Sequence, residues 1–180
     1  MAIFAWVLEI GGKGAAMSDF DVTRQTERDW VEVWRVLQPA FRAGESYPLP
    51  RDVSEEDARR YWIKTDGYNA VARDSAGLVI GVYYLRPDQG GPGDHICNAG
   101  YVIAEAARGK GYATALCLQS QDQAREMGFR GMKFNLVVSS NAAAIKAWKK
   151  AGMEIIATVP GAFRHPALGF VDANVMFKSL

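Results

Sequence analysis

Hydrophobic residues recur along the chain with two different spacings, which predicts both helices and strands. Thr26 can cap a helix whose apolar residues fall on one face at spacings of three, four and seven: Trp30, Val33, Trp34, Leu37 and Phe41. Pro39 lies inside this pattern, so the helix is expected to end or kink there. Ser54 and Asp57 have the spacing of a capping box, which predicts a second helix that includes Trp62.

Runs rich in β-forming residues predict a single sheet. The predicted strands lie at 19–25, 68–73, 78–86, 95–103, 133–138, near 154–159 and at 170–178. Residues 44–50 and 87–94 are predicted loops, and helices are predicted at 111–127 and 141–151. Antiparallel strands come first and a strand–helix–strand–helix–strand series follows, which favours an α/β (α+β) fold. We expect one domain with a mixed, mostly antiparallel central sheet of about six to seven strands and helices on both faces.

Length and composition indicate one compact domain. The chain has 180 residues, of which 49% are hydrophobic and 23% charged, so it is neither a disordered chain nor a membrane bundle. A net charge of +1 predicts no nucleic-acid or membrane partner, and any anion must be bound locally. The apolar run 2–10 is too short to span a bilayer. We expect residues 1–17 to be an upstream extension, a cloning remnant or an edge strand used in a homodimer, and the domain to cover 18–180.

The cysteines and histidines predict neither a disulfide framework nor a metal site. Cys97 and Cys117 are too few for such a framework, and two cysteines with two histidines make a poor ligand set for a metal. Both thiols are expected to be reduced, buried and inert, which predicts a cytoplasmic protein.

The segment Arg108–Thr114 (RGKGYAT) lies directly between a predicted strand and a predicted helix. Glycines at a helix start let backbone N–H groups converge on an anion, and the helix dipole adds partial positive charge. Arg108 and Lys110 add full charges, which suits a diphosphate, and Ala113 is small enough for a close approach. The alternative is a tight turn in which the glycines are needed only for the backbone conformation and bind no ligand.

Two other phosphate-binding motifs fit this segment poorly. The spacing of a P-loop, with a glycine followed by Lys-Ser/Thr, is absent. A dinucleotide fingerprint requires a third glycine where Thr114 stands, and it requires an acidic residue about 20 positions later. The next strand instead carries Lys133, Phe134 and Asn135.

The same segment resembles the acetyl-CoA loop of the GCN5-related N-acetyltransferase (GNAT) family, Arg/Gln-x-x-Gly-x-Gly/Ala, because Arg108, Gly111 and Ala113 match in place. Residues Asn141–Met153 are similar to the family's second motif, an asparagine-led helix that ends in a glycine before a strand. The resemblance covers about 18–180. It implies a GNAT-like fold, N-acetyltransferase activity, and acetyl-CoA as cofactor, with direct attack by the acceptor amine in a ternary complex.

The resemblance also implies where acetyl-CoA binds. Diphosphate would lie on 108–114, and the pantetheine arm would lie between the strands at 95–103 and 133–138. The acetyl carbonyl would be held by a backbone N–H of the first of these strands, from Tyr101, Val102 or Ile103. The sequence does not show which of the three faces the acetyl oxygen. The implied cofactor-binding residues are Tyr101, Val102, Ile103, Arg108, Gly109, Lys110, Gly111, Tyr112, Ala113, Thr114, Asn141, Ala144 and Trp148.

Two of these positions have a second interpretation. Asn141 can be a plain helix cap, and one side chain can serve as both cap and pantetheine ligand. Trp148 stands where many relatives have a tyrosine that protonates the departing thiolate. An indole N–H is not a usable acid, so the thiolate would leave unprotonated or with help from water or an asparagine.

A closer likeness is to the yeast N-acetyltransferases that detoxify proline analogues such as azetidine-2-carboxylate. It rests on five segments: Gly44–Pro48, Tyr83–Pro87, Cys97–Tyr101, Phe134–Val138 and Val171–Ala173. The likeness implies a small amino or imino acid as substrate.

Asparagines are disfavoured inside strands, so Asn98 and Asn135 need partners there, which a ligand or a structural hydrogen bond can supply. With the likeness, both are predicted to contact the substrate, and the predicted catalytic residues are Asn98, Asn135 and Tyr101. Further substrate-contacting candidates are Glu45, Tyr47, Tyr84 and His165, with a solvated Glu45 and a structural His165 in a loop as alternatives.

Two other functions stay open on the sequence. Acetylation of a peptide or protein N-terminus needs an open groove, and the aromatic loop near Tyr47 argues mildly against one. A non-catalytic acyl-CoA-binding module is the other, because Trp148 replaces the usual tyrosine.

Overall fold

The structure, a computed structural model, describes residues 20–180. The predicted extension 1–17 and the domain boundary near residue 18 lie outside these residues. In chain order the strands and helices are β1 (Phe20–Arg24), α1 (Trp30–Ala43), α2 (Glu55–Trp62), β2 (Tyr68–Asp74), β3 (Val79–Pro87), β4 (Ile96–Ile103), α3 (Tyr112–Glu126), β5 (Gly131–Val138), α4 (Ala142–Lys150), β6 (Glu154–His165) and β7 (Gly169–Ser179). None of the helices in this part of the chain is long and apolar enough to cross a bilayer.

The strands form one seven-stranded sheet in the order β1-β2-β3-β4-β5-β7-β6. Every neighbouring pair is antiparallel except β4 and β5, which are parallel. Helices α1 and α2 cover one face, where Trp62 packs against Tyr84 and Val82. Helices α3 and α4 cover the other, where Trp148 and Cys117 lie in the core. The predicted fold class, strand number and helix placement are confirmed.

Strands β4 and β5 separate soon after they meet. They pair only from Ile96–Asn98 to Gly131–Lys133, although β4 continues to Ile103 and β5 to Val138. On its other side, β5 changes register against β7 between Phe134 and Val137. The sheet is therefore open in its middle, with unpaired backbone on both sides of the opening.

Helix α1 does not end at Pro39, which was one of the two outcomes expected there, and continues to Ala43. Pro39 lies on the exposed side, while buried residues on the opposite face hold the helix against the sheet. The helix ends at Gly44, whose φ of 69° is the left-handed conformation that glycine adopts readily. Thr26 caps a short 3-10 turn before α1, with its N–H and hydroxyl both donating to the Asp29 carboxylate at 2.7 Å.

The C-terminal hairpin is longer than the sequence pattern indicates. Strand β6 runs on to His165, so the prediction that His165 lies in a loop is wrong, and a turn of only three residues leads into β7. Pro160 does not end the strand because it lies where β6 shifts register against β7, on the edge of the sheet. An edge strand tolerates proline at such an irregularity because no ladder hydrogen bond is lost.

Both cysteines are free and buried, as predicted. Burial raises the pKa of Cys97 to about 12 and that of Cys117 to about 11, so both stay protonated thiols at neutral pH. Within residues 20–180, no group of three or more His, Cys, Asp or Glu side chains could hold a metal ion.

Gly100 makes room for Tyr84 on the neighbouring strand. The two residues are directly opposite in the β3–β4 ladder, and a Cβ on Gly100 would lie 2.5 Å from Cε1 of Tyr84 and 2.8 Å from its hydroxyl oxygen. Tyr84 itself is only 5% exposed and packs edge-on against Trp62, with ring centroids 5.0 Å apart. The ring therefore cannot move without disturbing the core.

We expect Gly100→Ala to lower the free energy of unfolding by about 1–3 kcal/mol, because it overfills this contact. Urea denaturation measures the change. Gly90→Ala is the matched control, since Gly90 has an ordinary φ of −89° and a Cβ there would meet nothing within 4 Å. Equal midpoints for the two variants would contradict the proposed contact.

Candidate active site

Two cavities meet at the opening between β4 and β5. The larger has a volume of about 750 Å³ and lies between β4, the start of α3 and one face of α4. The smaller, of about 250 Å³, lies against β3, β4 and β5 beside Tyr47 and Tyr61. Six residues line both cavities: Ser46, Tyr47, Tyr101, Asn141, Ala144 and Trp148. The two spaces therefore share a junction at which two bound molecules can meet.

The start of α3 presents unpaired backbone N–H groups to the larger cavity. The first hydrogen bond of the helix runs from the Ala115 N–H to the Gly111 carbonyl, so the N–H groups of 111–114 precede the helical ladder. Gly111 has φ of 90°, a conformation that disfavours any side chain. Free N–H groups and the helix dipole together favour an anion at this end of α3.

The side chains of the larger cavity add positive charge. Arg108 lines it, whereas Lys110 is exposed and is not among the lining residues. Lys146 and Lys150 also line it, although sequence reasoning missed them. The signal was present: with Ala143 they have the spacing of one helix face, the same side of α4 that carries Ala144 and Ala147.

An aromatic cluster lies beneath the junction of the cavities. The Trp148 ring lies 4.8 Å from that of Tyr101 and 5.4 Å from that of Phe134, measured between ring centroids. The Tyr101 hydroxyl is bonded to Ser120 at 2.7 Å in the core, and burial raises the pKa of Tyr101 well above its usual value. Tyr101 therefore contributes its backbone to the site while its hydroxyl points into the core. Its phenol stays protonated at neutral pH and cannot act as a base.

Tyr47 connects the α1–α2 loop to this backbone. Its hydroxyl donates to the Tyr101 carbonyl at 3.0 Å, and its ring packs edge-on against Phe41 at 5.1 Å. Burial raises the pKa of Tyr47 well above its usual value, so the hydroxyl stays a hydrogen-bond donor. At the opening, the Tyr101 carbonyl of β4 therefore accepts a hydrogen bond from a side chain and not from a neighbouring strand.

Asn141 is the N-cap of α4, as predicted. Its Oδ1 accepts the Ala144 N–H at 3.0 Å. The side-chain amide nitrogen has no hydrogen-bond partner among residues 20–180, and Asn141 lines both cavities. The same side chain can therefore cap the helix and donate to a ligand. On the neighbouring helix, the Thr114 hydroxyl is directed to the Ala147 carbonyl at 3.4 Å.

The smaller cavity holds both predicted asparagines and Tyr84. Asn98 is buried; its Oδ1 accepts from the Tyr84 hydroxyl at 3.2 Å, and its amide donates to the Lys133 carbonyl at 3.0 Å. Burial raises the pKa of Tyr84, which keeps the phenol neutral. Arg86 lines the same cavity and was not predicted, although a charged residue two positions after a buried tyrosine on an interior strand is an unusual pattern.

Asn135 lies at the mouth of the smaller cavity and is held by Asp88. Its amide donates to Oδ1 of Asp88 at 2.6 Å, and the Lys133 ammonium lies 2.6 Å from the other carboxylate oxygen. Burial alone would raise the pKa of Asp88, but the bonds from Lys133 and Asn135 outweigh it, and the pKa falls below 3.8. Asp88 is thus an ionised anchor for the Asn135 side chain.

Glu45 and His165 line only the larger cavity, so the structure does not bring them to the smaller one with the other predicted substrate residues. Glu45 is exposed. Nδ1 of His165 accepts the backbone N–H groups of Ala167 and Leu168 at 3.2 and 3.3 Å, which occupies that nitrogen in the turn.

Comparison with known proteins identifies the family. Residues 30–153 match the model of the Acetyltransferase (GNAT) family. The chain is 25% identical over 148 residues to the N-acetyltransferase aca1 of Schizosaccharomyces pombe, which covers 73% of this chain and 71% of the relative. A GCN5-related N-acetyltransferase from Kribbella flavida superposes with a TM-score of 0.86 at 35% identity, over 92% of this chain and 100% of that one.

A third comparison, with the phosphinothricin acetyltransferase of Sinorhizobium meliloti solved with acetyl-CoA, gives a TM-score of 0.79 at 20% identity, over 90% of this chain and 89% of that one. The protein belongs to the GNAT family. It is an N-acetyltransferase, and acetyl-CoA is its acetyl donor. The larger cavity fits this donor, because free N–H groups, Arg108 and two lysines suit its phosphates.

We expect Gly111→Val to weaken acetyl-CoA binding by about 10-fold or more, because the side chain enters the anion site and distorts its N–H groups. Isothermal titration calorimetry measures the affinity. Gly128→Val is the matched control: Gly128 has φ of 88°, lies beyond the other end of α3, and lines neither cavity. A valine is strained at both positions because both glycines have a positive φ, so equal affinities would reject this anion site.

The Asp88 anchor makes a prediction about pH. Since its pKa in the folded protein lies below 3.8, its stabilising effect is complete above that value and is lost as pH falls through the lower folded pKa. Asp88→Asn cannot titrate, so its urea midpoint should fall less than the wild-type midpoint between about pH 5 and about pH 3. Parallel midpoints over this range would contradict the anchor.

Proposed function

We propose that the protein transfers the acetyl group of acetyl-CoA to the amine of a small amino or imino acid, or of a toxic analogue, by direct attack within a ternary complex. The observation that carries the proposal is the junction of two cavities of very different size at the opening between β4 and β5. The larger suits the donor. The smaller, at about 250 Å³, suits a small acceptor.

The donor, when bound, supplies an acetyl group activated as a thioester. In the proposal, a backbone N–H of Tyr101–Ile103 that faces the opening, and not β3, holds the acetyl oxygen and stabilises developing negative charge. Asn141 donates its free amide to the pantetheine arm. Asn98 and Asn135 orient the acceptor amine in the smaller cavity, and Tyr47 and Tyr84 form its walls.

The acceptor must lose a proton before it can react, because an aliphatic amine with a pKa of about 10.4 is mostly protonated at neutral pH. The residues that line the smaller cavity include no carboxylate and no histidine, and burial raises the pKa values of Tyr47 and Tyr84, which keeps these two phenols neutral. We infer that the proton passes to water. The buried Trp148 offers no acid, so the thiol, with a pKa of about 8.5, leaves as the thiolate.

Two further predictions concern the setting of the reaction. The buried, reduced thiols support a cytoplasmic location. A homodimer stays a prediction, as does the domain boundary near residue 18.

A thiol-release assay with acetyl-CoA tests the proposal across classes of acceptor: amino acids, cyclic imino acids, polyamines, aminoglycosides and a short peptide. We expect release to concentrate on the amino and imino acids, because the acceptor must fit the smaller cavity. Release with the peptide alone would favour N-terminal acetylation. Acetyl-CoA binding without release for any amine would indicate a binding module and overturn the proposal.

The variant Asn135→Ala tests whether turnover depends on the smaller cavity. We expect it to lower kcat/KM for the best acceptor by about 10-fold or more, since a hydrogen bond to the acceptor is lost, while the affinity for acetyl-CoA stays that of the wild type. Calorimetry and the thiol assay on the same preparation measure both. Full turnover would remove Asn135 from the site.

A further inference from the structure

We propose that Arg86 is the residue that recognises a carboxylate on the acceptor, and that an acceptor needs such an anionic group to bind well. The inference rests on the proposed function, because it specifies which amines the smaller cavity accepts. It assigns a role to a side chain that lies outside the two family motifs at 108–114 and 141–153, within the segment Tyr83–Pro87.

Arg86 gives the smaller cavity its charge. Of the residues that line it, Arg86 is the only one with a full charge; the others are polar, aromatic or aliphatic. None of the ion pairs among residues 20–180 involves Arg86. The side chain is half-buried. A half-buried cation without a carboxylate partner has given up part of its hydration, so an anion that enters the cavity is favoured.

Lys133 shows the contrast. Its ammonium lies close to the same region but is already paired with Asp88, whose side chain is only 3% exposed, at 2.6 Å. Asp88 does not line the smaller cavity. Of these two cations near the predicted substrate residues, Arg86 is the one whose charge is left for a ligand.

The neighbours of Arg86 hold the guanidinium in a defined place. Its Cζ lies 4.3 Å from the ring centroid of Tyr84 and 5.3 Å from that of Tyr61. Nη1 donates to the Tyr61 carbonyl at 3.1 Å, and Nη2 donates to the Tyr84 hydroxyl at 3.3 Å. A guanidinium has five N–H donors, so most of them stay free of partners among residues 20–180.

The same contacts connect Arg86 to Asn98. The two residues are opposite each other in the β3–β4 ladder. Arg86 donates a hydrogen bond to the Tyr84 hydroxyl, which in turn donates to Asn98 Oδ1. A carboxylate on Arg86 would therefore lie beside the asparagine that is proposed to orient the amine. An α-amino or α-imino acid carries its amine and its carboxylate on one carbon and has this arrangement of groups.

Matched acceptor pairs test the inference: proline, azetidine-2-carboxylate, methionine and alanine, each compared with its own carboxamide. The measured quantity is the ratio of kcat/KM for the acid to kcat/KM for the carboxamide, from thiol release. We expect the wild type to favour the acids, and Arg86→Gln to lower the ratio by about 10- to 100-fold, mainly through KM, because a charge-assisted bond is lost. Arg86→Lys keeps the charge and should retain part of the preference.

Arg125→Gln is the matched control, because it removes one positive charge from the exposed surface of α3, away from both cavities. Its ratio should equal that of the wild type. An equal loss on acid and carboxamide in Arg86→Gln would mean that Arg86 only supports the fold and would overturn the inference. So would a wild type whose KM values for the acids and their carboxamides are equal, which would leave the proposed function standing. Absence of thiol release with every amine would overturn both.

Discussion

The early separation of β4 and β5 is the constraint on which the rest of the site depends. Two parallel strands that paired over their full length would close the middle of the sheet and satisfy their own backbone groups. Here pairing ends at Asn98 and Lys133, and the two strands diverge. The backbone that is left unpaired gives a ligand hydrogen-bonding groups on a rigid element, and the gap joins the two faces of the sheet.

The two cavities at this gap differ in how they treat charge. The larger one offers several positive groups, namely the start of α3, Arg108 and the α4 lysines, as a donor with several phosphates requires. The smaller one is mainly aromatic and polar, and carries a single cation in Arg86. Buried tyrosines with raised pKa values keep its walls neutral. In the proposed function, this division assigns the donor and the acceptor to different cavities.

The sequence predicted the elements well where apolar residues keep one spacing, as in α1 and β3, and in the two motif regions. It predicted poorly where tertiary contacts override a local breaker. Pro39 and Pro160 both suggest an end, yet one lies on the exposed side of a helix held by its apolar face, and the other at a register shift of an edge strand. The positions of Gly111 and Asn141 at helix starts could be predicted because helix ends depend on local sequence.

The residues of the smaller cavity were harder to predict from the sequence. Asn98 and Asn135 stand out as polar residues in strands, but their partners Tyr84 and Asp88 come from elsewhere in the chain. Arg86 and the α4 lysines were missed because their spacing shows which residues share a face, whereas only the fold shows that this face lines a cavity. Glu45 and His165 were also predicted to contact the acceptor, and the structure places both along the larger cavity.

A crystal structure with bound acetyl-CoA tests the central claim most directly. The account predicts the diphosphate against the N–H groups of residues 111–114 and the acetyl group in the opening between β4 and β5, within hydrogen-bonding distance of the β4 backbone. A coenzyme bound elsewhere, with these N–H groups unused or the two strands paired across the opening, would contradict it.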